Sequence, residues 1–346
     1  MSDSPSSTAH TLTVEPFGIE VTVDAGERVL HAVLRSGHYV PFGCNHGGCG
    51  TCTATVVSGD LQQDPGTLQT LDEDARRRGE VLLCSTTLLS SAAVVDISAS
   101  GVTEEEFSGT AVHDLSTTVE EISALSDNLR ILRLAAPAHP WQHRPGQFLQ
   151  VELPDQTGWR AYSVASSPAD PTLDLLIRSV PGGAFTAALD TLRSGDRIRI
   201  RGPFGAFNVR TSHRPKLFIG AGAGIGPLRP MLAQHLAAPE PPAAELIHIA
   251  SDPAEFAFAT EFRDWAQRHS GFTYHPLPPD DCRRGTEVVS EWISSKACVA
   301  DLRRVEAYLC GPDAFVDTVA ESLRASGLRS RYISADRFTA SVGTTR

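Results

Sequence analysis

Three cysteines fall within nine residues, Cys44, Cys49 and Cys52, and a fourth, Cys84, follows after thirty-one intervening residues. No other feature constrains the chain as strongly, because four thiols so spaced are best used by converging on one centre. The C-x4-C-x2-C…C spacing is that of four thiolates holding a [2Fe–2S] cluster. Such a cluster carries net negative charge, so the loop must bring backbone N–H groups close to sulfur. Gly43, Gly47, Gly48 and Gly50 permit this, since glycine reaches φ > 0 and lets the backbone wrap tightly. Structural zinc is the competing reading, but its sites usually combine two C-x2-C-type pairs, and only Cys49 and Cys52 form one. Cys44-x-His46 looks like half of a Rieske centre. That centre needs two histidines on one iron and no second pair follows, so His46 reads as a solvent-side loop residue.

With 346 residues the chain has room for two or three domains. Its net charge of -11 argues against a nucleic-acid partner. Residues 1–100 hold twelve Asp/Glu against five Lys/Arg. That acidity either steers a basic protein partner or simply solvates the surface. No run of eighteen apolar residues occurs, so no membrane span is expected. Residues 1–10 are Ser/Thr-rich without the basic start and apolar segment of a signal peptide, and are expected to be disordered. Seven cysteines without a secretion signal point to a reducing, cytoplasmic setting.

Two short strands are expected between Thr11 and Val23, turning at Pro16-Phe17-Gly18, then a helix over Glu27–Ser36 with Val29, Leu30, Val33 and Leu34 on one face. The cysteine loop follows, Thr53–Val57 resumes as a strand, residues 72–78 form a charged surface helix, and Val81-Leu82-Leu83 delivers Cys84. Residues 11–98 thus resemble a plant-type ferredoxin domain, a β-grasp fold. Residues 99–108, with Glu104-Glu105-Glu106, lose apolar periodicity and read as a linker.

Residues 109–211 show short strands separated by turn signals such as Pro145-Gly146 and Gly202-Pro203, the pattern of an antiparallel barrel. Arg160-Ala161-Tyr162-Ser163 places a cation, an aromatic plane and a hydroxyl together, with residues 160 and 162 on one strand face. Gly182-Gly183 opens a helix, and a helix N-terminus is a natural anion site. The tetrapeptide alone is common strand composition. Together with that helix start, and after a ferredoxin-like stretch, the region resembles the six-stranded flavin-binding barrel of the ferredoxin–NADP reductase superfamily. The resemblance implies that Arg160 contacts the flavin pyrophosphate, Tyr162 lies against the ring system, Ser163 bonds near N5, and Gly183 and Thr186 cap the pyrophosphate.

Residues 212–346 turn to α/β. The strand Lys216-Leu217-Phe218-Ile219 leads through Gly220-Ala221-Gly222-Ala223-Gly224-Ile225-Gly226-Pro227 into a helix over Leu228–Leu236, a strand–glycine loop–helix cradle for a diphosphate. The third glycine is displaced from the G-x-G-x-x-G pattern. The loop does match the nicotinamide-binding loop of the same superfamily, with Gly222, Gly224, Gly226 and Pro227 lining it. A second strand, Glu245–Ala250, ends at Ser251-Asp252. If this is the adenosine-ribose position, Asp252 repels a 2′-phosphate and favours NADH. Cys310-Gly311-Pro312 ends a buried strand, where a cysteine usually serves as a small core residue. The superfamily's C-G-P motif instead implies that Cys310 lies beside the reacting nicotinamide carbon. Relatives end with a Glu and an aromatic near the flavin; Phe338 fits, whereas Asp336 stands for the Glu with a shorter carboxylate and an open role. Cys282 and Cys298 belong to no motif and read as structural.

The resemblance covers the chain from residue 11 as multidomain α+β and α/β: ferredoxin, barrel, and a parallel-sheet nicotinamide domain. This order resembles the reductase components of bacterial multicomponent oxygenases, phenol hydroxylase reductase-like proteins above all. It implies FAD, NADH and a [2Fe–2S] cluster as cofactors and an oxygenase as protein partner, a diiron monooxygenase first. A Rieske dioxygenase reductase and a deoxysugar-pathway reductase share the order, and a carrier or sensor without turnover is the reading from another class. NADH gives two electrons as a hydride and the cluster takes one, so FAD is the step-down element, with Ser163 and Cys310 at the reacting atoms. Plant-type clusters lie near about −400 mV, so local hydrogen bonds must adjust the potential to suit NADH.

Overall fold

The computed structural model describes residues 9–42, 47, 50–108, 112–137, 141–152, 159–179, 183–278, 285–295 and 301–338. Expectations for residues 1–8, Cys44, Cys49, His46, Gly43, Gly48, Gly182, Cys282 and Cys298 lie outside them. The chain divides into two units, Met1–His113 with Gly202–Ala206, and Asp114–Arg201 with Phe207–Arg346.

In the first unit, β1 (His10–Glu15) and β2 (Ile19–Val23) form the expected hairpin, which starts one residue earlier than expected because His10 pairs with Val23, as Val14 does with Ile19. Alternation buries Leu12, Val14, Val21 and Val23 on one face and leaves their polar neighbours outside. Helix α1 (Val29–Arg35) covers that face with Val29, Leu30, Val33 and Leu34. There follow β3 (Thr53–Ser58), β4 (Leu61–Gln63), α2 (Glu73–Arg77), β5 (Glu80–Leu82), β6 (Thr86–Leu88) and β7 (Ala92–Asp96). The main sheet is mixed, in the order β2-β1-β7-β3-β5, with β1 and β7 parallel, and β4 and β6 make a small second sheet. Residues 99–108 carry more structure than a linker. Helix α3 (Glu104–Phe107) buries Phe107, which stacks on Phe17 at 4.3 Å and on His38 at 4.9 Å, while the Tyr39 N–H donates to its carbonyl.

Almost wholly within the second unit, β8 (His113–Ala124), β9 (Leu129–Ala135), β10 (Phe148–Glu152), β11 (Trp159–Ser163), β12 (Thr172–Arg178) and β13 (Arg197–Phe204) form a six-stranded sheet in the order β11-β10-β13-β8-β9-β12. A bridge between Val164 and Leu175 brings its two ends together, so it is a nearly closed barrel. Helix α4 (Ala184–Thr191) packs Phe185 and Leu189 against it.

The remaining elements are β14 (Lys216–Ala221), α5 (Ile225–Leu236), β15 (Ala244–Ile249), α6 (Ala259–Arg268), β16 (Phe272–Leu277), α7 (Gly285–Ser294), β17 (Glu306–Pro312), α8 (Asp313–Ala325) and β18 (Ile333–Phe338). Their strands form a parallel sheet, β16-β15-β14-β17-β18. Strand residues alternate between two helix layers: Phe218, Leu246, Tyr308 and Cys310 join the core of α5 and α6, and Leu217, Ile219, Ile247 and Leu309 that of α7 and α8. Leu129 and Leu176 of the barrel belong to the first of these cores. The strand order reverses between β14 and β17, and ligands of open α/β sheets bind at the carboxyl ends beside such a reversal.

Candidate functional site

Around the cysteine loop, Cys52 and Cys84 are 2% and 4% exposed, and the Leu83 N–H donates to the Cys52 carbonyl at 3.0 Å. The pairing of β3 with β5, Thr53 opposite Leu82, therefore brings these two thiols onto neighbouring chain segments. Gly47 (φ 82°) and Gly50 (φ 75°) adopt the left-handed backbone that glycine allows. At Gly47 a Cβ would meet Thr67 Cγ2 at 2.4 Å, and the Thr70 hydroxyl donates to the Gly47 carbonyl at 2.5 Å. Buried thiols and a glycine loop pressed against its neighbours fit a cluster with thiolate ligands.

On β11, Tyr162 leans on Phe185, the second residue of α4, with ring centroids 4.9 Å apart. Burial pushes the Tyr162 phenol far above its usual pKa, so it stays protonated. Arg160 shares the strand face of Tyr162, and its guanidinium donates to its neighbour's carbonyl, Trp159 O, at 3.0 Å. Gly183 is the N-cap of α4. A cation, an aromatic ring and a helix start on one side of the strand fit an aromatic cofactor carrying a diphosphate.

The glycine loop after β14 is tighter than its sequence indicates. Gly222–Gly224 form one 3₁₀ turn and α5 begins at Ile225 rather than Leu228. Pro227 lies in its first turn, where the missing N–H costs little. A Cβ on Gly224 would come within 2.2 Å of the Cys310 carbonyl oxygen, and one on Gly222 (φ 55°) within 2.4 Å of the Arg178 guanidinium. The turn is a cradle that side chains would fill, which fits a dinucleotide. At its rim three groups meet. Cys310 pairs in register with Asp336, and the Ser163 hydroxyl donates to Asp336 Oδ2 at 3.4 Å. Burial, offset in part by that hydroxyl, raises the Asp336 carboxyl to about 6. Burial and then the Asp336 charge push the Cys310 thiol well above its ordinary pKa, leaving it neutral.

The geometry thus brings Ser163, Cys310, Asp336 and the glycine turn together, with Phe338 partly buried against the α5–α6 core. Asp252 is exposed and accepts from the Ala254 N–H at 2.7 Å. Sequence reasoning missed two polar ties across this unit. Glu255, 1% exposed, holds Arg178 at 2.8 Å and accepts from the Ser126 hydroxyl. Arg229 of α5 donates to the Ala165 carbonyl at 2.9 Å while bidentate to Glu261. Partners this distant in sequence leave no local signal. Asp336 did leave one, its position two residues before an aromatic.

Family models match three stretches: a 2Fe-2S iron-sulfur cluster binding domain over residues 12–89, an oxidoreductase FAD-binding domain over 116–209 and an oxidoreductase NAD-binding domain over 218–321. The chain is 31% identical to the phenol hydroxylase P5 protein of Acinetobacter pittii, covering 95% of this chain and 94% of that one. It is 29% identical to the propane 2-monooxygenase reductase component of Rhodococcus jostii, covering 97% and 93%. Among solved structures, an Amycolatopsis cytochrome P450 reductase, GcoB, superposes with a TM-score of 0.83 at 29% identity, over 95% of this chain and 99% of that one. Among the described residues no helix is long and apolar enough to cross a membrane.

Proposed function

Because the chain belongs to the family of oxygenase reductase components, which carry electrons from NADH through FAD and a [2Fe–2S] cluster to an oxygenase, we propose that it serves a monooxygenase and that the residues above hold its three redox groups. The observation that carries the site assignment is the Ser163–Asp336 bond beside Cys310, which joins the R-x-Y-S strand of the barrel to the end of the nicotinamide sheet.

FAD, when bound, supplies the conversion of a two-electron hydride donor into single electrons. The chain's own residues do the rest. Arg160 and the α4 start at Gly183 and Thr186 take the flavin diphosphate, and Tyr162 covers the flavin ring. The Ser163 hydroxyl, held by Asp336, would offer a polar group to the flavin near N5. The Cys310 thiol stays protonated and neutral, and so shapes the nicotinamide pocket without acting as a nucleophile. Gly222, Gly224, Gly226 and Pro227 admit the nicotinamide dinucleotide's diphosphate, and the exposed Asp252 carboxylate disfavours a 2′-phosphate. Cys44, Cys49, Cys52 and Cys84 hold the cluster. A cytoplasmic location is part of this reading, since thiolate ligands persist in a reducing compartment.

The names of the phenol and propane relatives favour a monooxygenase partner, here a diiron one. The Amycolatopsis reductase favours a second reading, a cytochrome P450 as acceptor. Reconstitution decides between them: the purified holoprotein is combined in turn with each oxygenase component encoded beside it, and NADH-driven product formation is measured. Coupled turnover with a dioxygenase alone would overturn the monooxygenase assignment.

A further inference from the structure

Arg28 is the residue before α1, and it is tied twice to the segment after Cys84. Its backbone bridges to Thr87, and its guanidinium Nη1 donates to the Ser85 carbonyl at 2.7 Å. The same carbonyl accepts the Asp64 N–H at 2.8 Å, and Nη2 reaches Asp64 Oδ2 at 3.3 Å. Thr67, whose methyl closes against Gly47, donates to the Asp64 carbonyl at 2.8 Å and to the buried Ser85 hydroxyl at 3.0 Å. A permanent cation is therefore fastened to the residue following one cluster cysteine, within a network that also touches the cysteine loop. The Asp64 carboxylate pairs with that cation.

We propose that Arg28 is a positioning residue that raises the reduction potential of the cluster, opposed by Asp64. The proposal rests on Cys44, Cys49, Cys52 and Cys84 being the cluster ligands. Reduction places one electron, supplied through FAD, on a centre that is already anionic, and breaks no bond. A fixed positive charge nearby stabilises the more negative state, and a negative charge destabilises it. Arg28 is 36% and Asp64 44% exposed at the side chain, so solvent screens both without abolishing either. The Arg28 bond also fixes the direction of the Ser85 carbonyl, keeping the peptide beside Cys84 in one orientation.

The test is an anaerobic dithionite titration of the holoprotein with redox dyes, reading the cluster by low-temperature EPR and FAD by visible absorption. Arg28→Gln is expected to shift the cluster midpoint negative and Asp64→Asn to shift it positive, with iron content and the FAD couple unchanged. Arg28→Lys, which keeps the charge, is expected to stay close to the parent. Unchanged midpoints at full iron content, or both neutral variants moving the same way, overturn the proposal. Should Arg28→Gln fail to hold iron, Asp64→Asn decides alone: a positive shift supports the proposal and no shift overturns it. A parent protein without a [2Fe–2S] signal would instead refute the ligand assignment beneath it.

Discussion

Three glycines of the loop after β14, Gly222, Gly224 and Gly226, look equivalent in sequence, yet the structure ranks them, and Gly224→Ala is the sharpest test. Its φ of -63° suits any residue, so the backbone conformation is not the obstacle. Space is. The new Cβ would lie 2.2 Å from the Cys310 carbonyl oxygen and 2.5 Å from its carbon, whereas ordinary contact begins near 3.4 Å, so about 1.2 Å must be recovered. Those atoms belong to β17, which is held on both sides by β14 and β18, so the turn must retreat instead. Overpacking of this kind costs roughly 1–3 kcal/mol, a fall in Tm of roughly 2–12 °C for a unit of this size. A displacement of about 1 Å in a positioning element costs on the order of 100-fold in rate, so kcat/KM for NADH should fall by about that factor, or about 2.7 kcal/mol. Gly226→Ala is the matched control, because its Cβ would meet Leu176 Cβ at 3.5 Å and Ala165 Cβ at 3.6 Å, both ordinary contacts. Alanine also suits a helix better by roughly 0.5–1 kcal/mol, so its Tm should be unchanged or slightly higher. Ferricyanide reduction at varied NADH, with calorimetric melting of both variants, measures this. If Gly224→Ala keeps the parent's Tm and kcat/KM, the close approach to Cys310 is absent and the reasoning fails.

Further outcomes are expected. The Asp336 carboxyl, raised to about 6, keeps a proton in the folded protein that the unfolded chain releases near its ordinary value of 3.8. Folding is therefore favoured below that value, and stability declines as pH rises to about 6 and is level beyond it. Asp336→Asn should flatten that decline by about 1–2 kcal/mol in flavin-stripped protein; a urea series from pH 4 to 8 with parallel slopes would contradict it. Cys84→Ser should lose iron and NADH-driven cytochrome c reduction while retaining ferricyanide reduction, as metal analysis and both assays will show. Tyr162→Ala should release FAD on gel filtration, and retention equal to the parent would remove Tyr162 from the flavin site.

Local chemistry made much of this legible. Alternation in β1 and β2, the α1 face, and the strand–glycine loop–helix order all appear within short windows, because each is set by neighbours in sequence. What escaped depends on long-range packing. Phe107 is one aromatic in an acidic, aperiodic run, and only the distant Phe17 and His38 reveal that residues 104–107 pack as a helix rather than trail as a linker. The start of α5 at Ile225 reflects the tight approach to β17, which no propensity encodes. Asp336 kept an open role in sequence because its side chain is short; the register of β18 beside β17 carries it to within reach of Ser163. Arg28 left no local signal, since Ser85 lies 57 positions away.

The ties between the barrel and the parallel sheet bear on how the second unit comes apart. Arg178 to Glu255, Arg229 to the Ala165 carbonyl, and Ser163 to Asp336 cross from one to the other, and Leu129 and Leu176 of the barrel sit in the core of α5 and α6. Two layers so joined are expected to melt together, and two resolved calorimetric transitions from this unit would refute the coupling. A fragment ending at residue 211 would strip the cover from Leu129 and Leu176, and a fragment starting at 212 would leave the buried Glu255 carboxylate without its guanidinium. The change of sequence pattern near residue 211 thus marks a change of architecture inside one contact unit.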